Sequence, residues 1–515
     1  MFTFADVYTD HATGQLTMFD RIVFKGHLSG FFPLKRFELF LYQQGVLLKE
    51  FSSYAEKTTG QLKTHLKAMA EEAGCPFRYL SGGRGNEGED KLALAQQIAT
   101  ESGVTTGLVA ILGALEMNNS FTVQGNRQTH QIDVVSRQRK HLHYYLYYLD
   151  PEFGFMYVRI QSWWPFQIQI YINGREWLAK QMDQQDITYN RYENCFLEIS
   201  DLQATQMLCD KFAHRKWERV WNAFAQRVNP FLEDIESYLK KGYYWCVNQC
   251  EIATDVMFTE QKVLDTMLPD LFQEALLLFS AQDIMRFLGR KLRGNFLGEV
   301  RTHINKRHPG WRVKHWVKQN SLKMYNKGSV LRVETTVNNS SEFHIPAPES
   351  NSRRWKPLPK GVSYFWHYYQ AGSQANQRYL DALQQVNLQG EAALEALNSL
   401  CQSQQEEGRR IAKFNPVTEA DCSLFGAVLS GDHILTGFRN RHICVALYDI
   451  PTMDEREKRR RCARVSRLIA KLRGHKLVER VADSHLYRVT DYGYQVMSAA
   501  LHYRFVDFPF NFAPT

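Results

Sequence analysis

The chain has no long hydrophobic run. Its longest plainly apolar, uncharged stretch, Val104 to Leu115, falls far short of the roughly 20 residues that a bilayer span demands. The amino terminus carries Asp6 and Asp10 and offers neither a basic nor an apolar leader segment. Neither membrane insertion nor secretion is expected, and a cytoplasmic setting is. Cysteine is sparse: nine residues, an odd number, scattered singly except for Cys246 and Cys250. No second His or Cys pair completes a zinc spacing, so the pattern suits small buried apolar residues in a reducing compartment. Ser81-Gly82-Gly83-Arg84-Gly85 is glycine-rich but lacks the Gly-Lys-Ser/Thr ending that cradles phosphates, so no nucleotide cofactor is indicated. Internal repeats of fixed period are also missing.

What is present is ample core material and unevenly placed charge. At 515 residues the chain is too long for one core. Its 32 Phe, 25 Tyr and 10 Trp exclude global disorder and supply aromatic faces for packing or for stacking on bases. The net charge of +9 is concentrated in two islands. Arg286 to Lys327 holds 12 Lys or Arg against the single acid Glu299, and Arg409 to Lys476 holds 15 against 7 acids, which leaves the rest of the chain net acidic. One such island reads as a solvated face; two imply a polyanionic partner.

The periodicity predicts a multidomain α+β protein. Residues 1–232 read as an N-terminal α+β domain, with strands at 20–28, 108–112, 141–148, 155–161 and 166–172, the last alternating Phe166, Ile168, Ile170 and Ile172 with Gln167, Gln169 and Tyr171. A helix opens at Asn173-Gly174 and a long one runs from Leu202 to about Arg227. Residues 233–345 read as a basic central α+β domain: a strand at 243–258, helices over 260–292, and extended runs at 311–318, 321–327 and 330–338. A Pro- and Ser-rich linker and a helical segment fill 346–412. Residues 413–515 form a last module, with a helix at 438–448, a basic helix at 459–473, a hairpin and a final helix.

In that module Val465, Leu468, Ile469 and Leu472 fall at helical spacing, leaving Arg460, Arg464, Arg467 and Lys471 on the polar side. Gly474-His475-Lys476-Leu477-Val478 ends the helix, and Leu486-Tyr487-Arg488-Val489-Thr490-Asp491-Tyr492-Gly493 reads as a wing strand leading into a helix. This combination resembles the winged-helix domains of small bacterial transcription regulators. The resemblance implies that Arg464, Arg467 and Lys471 enter the major groove and His485 makes the wing contact, with Arg460 also among the nucleic-acid-binding residues. Arg and Lys suit that task because they displace counterions at phosphates, and Arg also pairs bidentately with guanine. A winged helix used for protein contacts is the alternative.

In the central segment, alternation puts Lys323, Tyr325 and Lys327 on one face of a strand and Arg332, Glu334 and Thr336 on one face of the next. Glu251 and Asp255 share a parity upstream. If the polar faces coincide, Glu251, Asp255 and Glu334 make a carboxylate site suited to Mg²⁺ or Mn²⁺. The stretch Tyr243 to Asn338 resembles the replication initiators and relaxases of plasmids and filamentous phage. That resemblance implies Glu251, Asp255 and Glu334 as metal ligands, Lys323 and Glu334 beside the reacting phosphodiester, and Tyr325, or one of Tyr243 and Tyr244, as nucleophile. The chain departs from the histidine-metal form of those enzymes: its His-apolar-His run, His141-Leu142-His143, lies in another segment, so the site is of the carboxylate type or there is none. Arg290, Lys291, Arg293, Arg312, Lys314, Lys318, Lys327 and Arg332 complete the expected nucleic-acid surface. The expectation is a DNA-binding, replication-initiator-like protein that nicks a strand with a metal ion. The alternative is a non-enzymatic DNA- or RNA-binding protein.

Overall fold

The computed structural model describes residues 11–80, 90–126, 130–277, 279, 281–289, 300–307, 310–346, 355–383, 397–406, 409–416, 418–430, 433, 437–448, 454–482 and 484–504. The architecture is mixed α+β, as the alternation and helical spacing predict. Two compact units share the chain: a larger one from 15–255 with 334–373, and a smaller one from 1–14, 256–333 and 374–515. They cut across the four consecutive segments read from the sequence, because sheet pairing joins residues far apart along the chain.

The larger unit is built on β1 (Ala12–His27), β2 (Phe77–Tyr79), β3 (Gly107–Gly125), β4 (Ile132–Asp150), β5 (Gly154–Gln161) and β6 (Ile168–Asn173), with a separate hairpin of β7 (Tyr189–Tyr192) and β8 (Cys195–Ile199) and the long β9 (Tyr244–Phe258). The order is β2-β3-β4-β5-β6-β1-β9, followed by the part of β13 (Val330–Val337) that starts at Glu334. Only β2 pairs with its neighbour β3 in parallel among the registers given for this unit.

Paired residues of antiparallel strands project to one side, so the registers define two faces. One face carries Phe24, Ile170, Val158 and Leu146 in a row, with Gly26, Ile168, Ile160 and Tyr144 beside it. These residues are buried, and Phe24 packs against Trp217 of helix Trp217–Val228 and against Phe365. Phe24 meets Trp221 at 4.9 Å, and Phe19 stacks on Phe365 at 4.2 Å. Each such side chain contributes about 1.5–3 kcal/mol of transfer free energy. The other face carries Lys25, Gln169, Arg159 and Tyr145 in a row, with Val23, Tyr171, Tyr157 and Tyr147 beside it. Helix Lys91–Ser102 covers its Tyr145 and Tyr147 end with Ala95 and Ile98. That helix starts where Asp90 accepts from the Leu92 and Ala93 amides and stops at Gly103, φ 62°.

The single helix expected over 202–227 is two, Leu202–Ala213 and Trp217–Val228, separated where Arg215 reaches the Glu152 carboxylate. Asn173 caps helix Gly174–Asp183 as expected, its side chain accepting from the Arg175 amide.

In the smaller unit β10 (Val300–Arg307), β11 (Gly310–Val317), β12 (Asn320–Lys327) and the start of β13 form an antiparallel run, of which β10 was not anticipated. Arg312 faces Tyr325 and Lys314 faces Lys323 across β11 and β12. Helical structure expected through to Arg410 gives way to a strand pair at Gln404–Glu406 and Arg409–Ile411. Beyond it the order is helices Glu419–Val428, Asn440–Leu447 and Glu455–Gly474, hairpin Val478–Arg480 with Tyr487–Val489, and helix Asp491–His502. Phe425, Ile443, Val465, Ile469, Leu472 and Val496 share one core. Thr490 caps the last helix, its hydroxyl accepting from the Gly493 amide at 2.9 Å and donating to the Lys476 carbonyl at 2.7 Å. A Cβ at Gly493 would lie 1.8 Å from the Leu477 carbonyl oxygen, so this approach of helix to hairpin admits only glycine.

Candidate functional site

Three neighbouring strands of the larger unit, β1, β9 and β13, each supply one carboxylate: Asp20, Glu251 and Glu334. An oxygen from each lies within 4.8 Å of the other two, and all three residues are buried. Asn194 donates to both oxygens of Asp20, at 3.0 and 2.8 Å. Arg21 Nε stands 3.8 Å from Glu251 Oε2. Burial works against the Arg21 charge, but Glu251 first, then Asp20, and more distantly Glu334, hold its pKa above the ordinary value. Three carboxylates this close repel one another in a poorly solvated place, and the Arg21 guanidinium beside Glu251 offsets part of that repulsion. Oxygen-only ligands at this spacing suit a hard divalent ion such as Mg²⁺ or Mn²⁺.

Two of the three expected metal ligands thus meet, and the third does not join them. Asp255 accepts from Arg175 Nη1 at 2.6 Å, with both side chains fully buried, and is committed to that ion pair. Asp20 takes its place. It sits some 230 residues before Glu251, and its one sequence signal is an acid among the core residues Met18, Phe19 and Ile22.

The residues read as catalytic are placed differently. Lys323 and Tyr325 belong to the smaller unit, Lys323 buried and Tyr325 half-buried. β12 and β13 are buried on both faces, so their alternation does not mark one exposed polar face. Arg332, with no exposed surface, is therefore removed from any phosphate-binding surface. Tyr243 is also corrected: it is buried, donates to the Phe166 carbonyl at 2.5 Å and accepts from Asn229 at 2.9 Å. Tyr244 is half exposed. Lys314 Nζ rests 3.4 Å from the Trp316 ring centroid, Arg312 and Lys327 are half-buried, and Lys318 is exposed in a turn at φ 53°. Arg290, Lys291 and Arg293 lie outside the described residues.

His141 and His143 are engaged in packing. His141 lies 2.9 Å from Ser120 Oγ and stacks on Trp163 at 5.1 Å. Burial, then Arg159, lowers the His143 pKa to about 4.

Helix Glu455–Gly474 buries Val465, Ile469 and Leu472 and exposes Arg460, Arg464 and Arg467, with Arg456, Lys458, Arg459 and Arg473 also exposed. Its N-cap Asp454 and the first-turn acids Glu455 and Glu457 complement the positive end of the helix dipole. Lys471 departs from the expected face. It is half-buried, 3.5 Å from Asp421 and 3.7 Å from the Phe414 ring centroid. His485 is exposed between the hairpin strands.

No family model, curated protein or solved structure matches this chain. Among the described residues no helix is long and apolar enough to cross a membrane.

Proposed function

We propose that this chain is a DNA-binding protein that docks helix Glu455–Gly474 against duplex DNA in winged-helix fashion. The observation that carries the reading is the exposed face holding Arg464 and Arg467, neither of which makes an ion pair among the described residues, opposite a buried apolar stripe. An α-helix fits the B-DNA major groove, whereas the A-form RNA major groove is too narrow to be read. Exposed guanidinium groups release counterions there. The double variant R464A/R467A should flatten the slope of log affinity against log salt on a duplex by about 1.8, at roughly 0.9 per phosphate contact. A duplex affinity and slope unchanged by the double variant would end this reading.

The carboxylate cluster favours a further activity of the same protein, strand nicking with Mg²⁺ or Mn²⁺ held by Asp20, Glu251 and Glu334. Such an ion polarises a phosphoryl oxygen and stabilises the leaving oxygen. Arg21, beside Glu251, is placed to add positive charge near the same phosphate. Supercoiled plasmid should be nicked with either metal by the wild type and not by Glu334→Gln. Nicking that survives both Tyr325→Phe and Tyr244→Phe assigns the attack to water rather than to either tyrosine. Absence of cleavage with both metals leaves a non-enzymatic DNA-binding protein.

A further inference from the structure

The two faces of the larger unit's sheet differ in kind. A sheet face that only supports a core is apolar, as the row Phe24, Ile170, Val158, Leu146 is. The opposite face instead presents Lys25, Gln169 and Arg159 in one row and Tyr171 and Tyr157 in the next, all partly exposed. Tyr157 and Tyr171 stack at 5.2 Å with rings 10° from parallel. Gln169 donates to the Tyr157 hydroxyl at 3.2 Å and accepts from Arg159 Nη1 at 2.7 Å, which fixes the aromatic pair in place.

The charge on this face is offset only in part: Arg159 Nη2 lies 3.3 Å from Glu116 Oε2. Lys360, exposed, joins it where its carbonyl accepts from the Val247 amide on β9 at 2.8 Å. Neither Lys25 nor Lys360 makes an ion pair among the described residues. Burial lowers the Lys25 pKa and Arg159 and Lys360 lower it further; burial, Lys25 and Lys360 together bring His27 to about 4. Cations that push on one another in this way are stabilised by an anion.

We propose that this face, where the Tyr157–Tyr171 stack lies beside Lys25, Arg159 and Lys360, is a platform for a single strand of DNA. Bases extend the tyrosine stack, and phosphates meet Lys25 and Lys360. Aromatic faces next to cations recognise unpaired bases without regard to sequence. The platform also leads toward the carboxylates, since Tyr171 pairs with Val23 on β1, the strand that carries Asp20. The inference goes beyond the duplex-binding reading and stands without it, and it does not require nicking.

The test is fluorescence anisotropy on the full chain with a labelled oligo-dT of about 20 nucleotides, alongside a duplex. The double variant K25Q/K360Q should weaken oligo-dT binding about tenfold and flatten its salt slope by about 1.4, at roughly 0.7 per contact. It should leave duplex binding as it was, which also reports an intact fold. Tyr171→Leu should lose about tenfold where Tyr171→Phe, which keeps the ring, does not. R464A/R467A should do the reverse, sparing oligo-dT and weakening duplex. Unchanged oligo-dT affinity in K25Q/K360Q overturns the proposal, as does tighter binding of oligo-rU or of a poly-glutamate peptide than of oligo-dT.

Discussion

Helix Glu455–Gly474 and the strands β11 to β13 are both rich in Lys and Arg, yet the helix holds most of its cations in water while the strands enclose theirs. The helix buries a narrow stripe at Val465, Ile469 and Leu472, flanked by the half-buried Arg461, Leu468 and Lys471, and exposes most of its other residues. β12 and β13 have no such free side: Leu322, Met324, Leu331 and Val333 pack at one parity of each strand or the other, and Lys323, Arg332 and Glu334 are buried with them. An exposed guanidinium keeps its hydration and is available to a phosphate. A buried one has lost its hydration and is tolerated only where polar partners replace it. Basic residues along the chain therefore describe a binding surface in one region and an internal polar framework in the other.

The largest effect that sharpens this contrast is on stability. Arg332→Ala removes a wholly buried charge from its polar surroundings and leaves a void, at a cost of about 3–5 kcal/mol. Arg464→Ala, on the exposed helix face, should stay within about 0.5 kcal/mol of wild type. Urea unfolding of the two variants measures both. Similar midpoints for the pair would mean that the two basic regions do not differ in the way described.

Acid gives the next effect. His315 on β11 is fully buried, 2.9 Å from Thr302 Oγ1 and 3.0 Å from the Tyr379 hydroxyl, and burial lowers its pKa to about 4. Its folded pKa lies below the unfolded value, so the unfolded chain binds more protons between the two. Stability is full above about pH 6.5 and falls as pH drops toward 4, by at most about 3 kcal/mol from this residue. Thermal unfolding across that range should show a steeper fall in Tm for wild type than for His315→Gln, which removes the titrating ring. Equal slopes would mean that His315 is charged or solvated in the folded state.

Much of the fold was legible because periodicity is a local property. The alternation at Phe166 to Ile172, the helix after Asn173, and the helices and hairpin of residues 438–502 were all readable from spacing and caps. What spacing does not contain is which strands become neighbours. Glu251 and Glu334 share a site because β9 and β13 are adjacent, and Asp20 completes it because β1 lies on the far side of β9. Asp255, at the same parity as Glu251, was drawn to Arg175 instead, a partner 80 residues away that no motif connects to it. Nor does alternation reveal whether a polar strand face meets water. Gln169 and Tyr171 reach a partly exposed surface and Lys323 does not, although all three sit in comparable alternating runs.

The smallest effect lies within the helix itself and divides it. Lys471 follows Arg464 and Arg467 on what spacing alone makes a single polar side, but its ammonium rests 3.7 Å from the Phe414 ring centroid and 3.5 Å from Asp421. Phe414 is part of the buried core, so Lys471 belongs energetically with the core although it lies on the basic helix. A partly desolvated cation–π contact with a neighbouring carboxylate is worth about 0.5–2 kcal/mol. Lys471→Gln should therefore lower the unfolding midpoint by that modest amount and leave the salt slope of duplex binding unchanged. Arg467→Gln should keep the midpoint and reduce the slope by about 0.9. A slope that falls equally in both variants would put Lys471 on the phosphates and extend the binding face by one more turn.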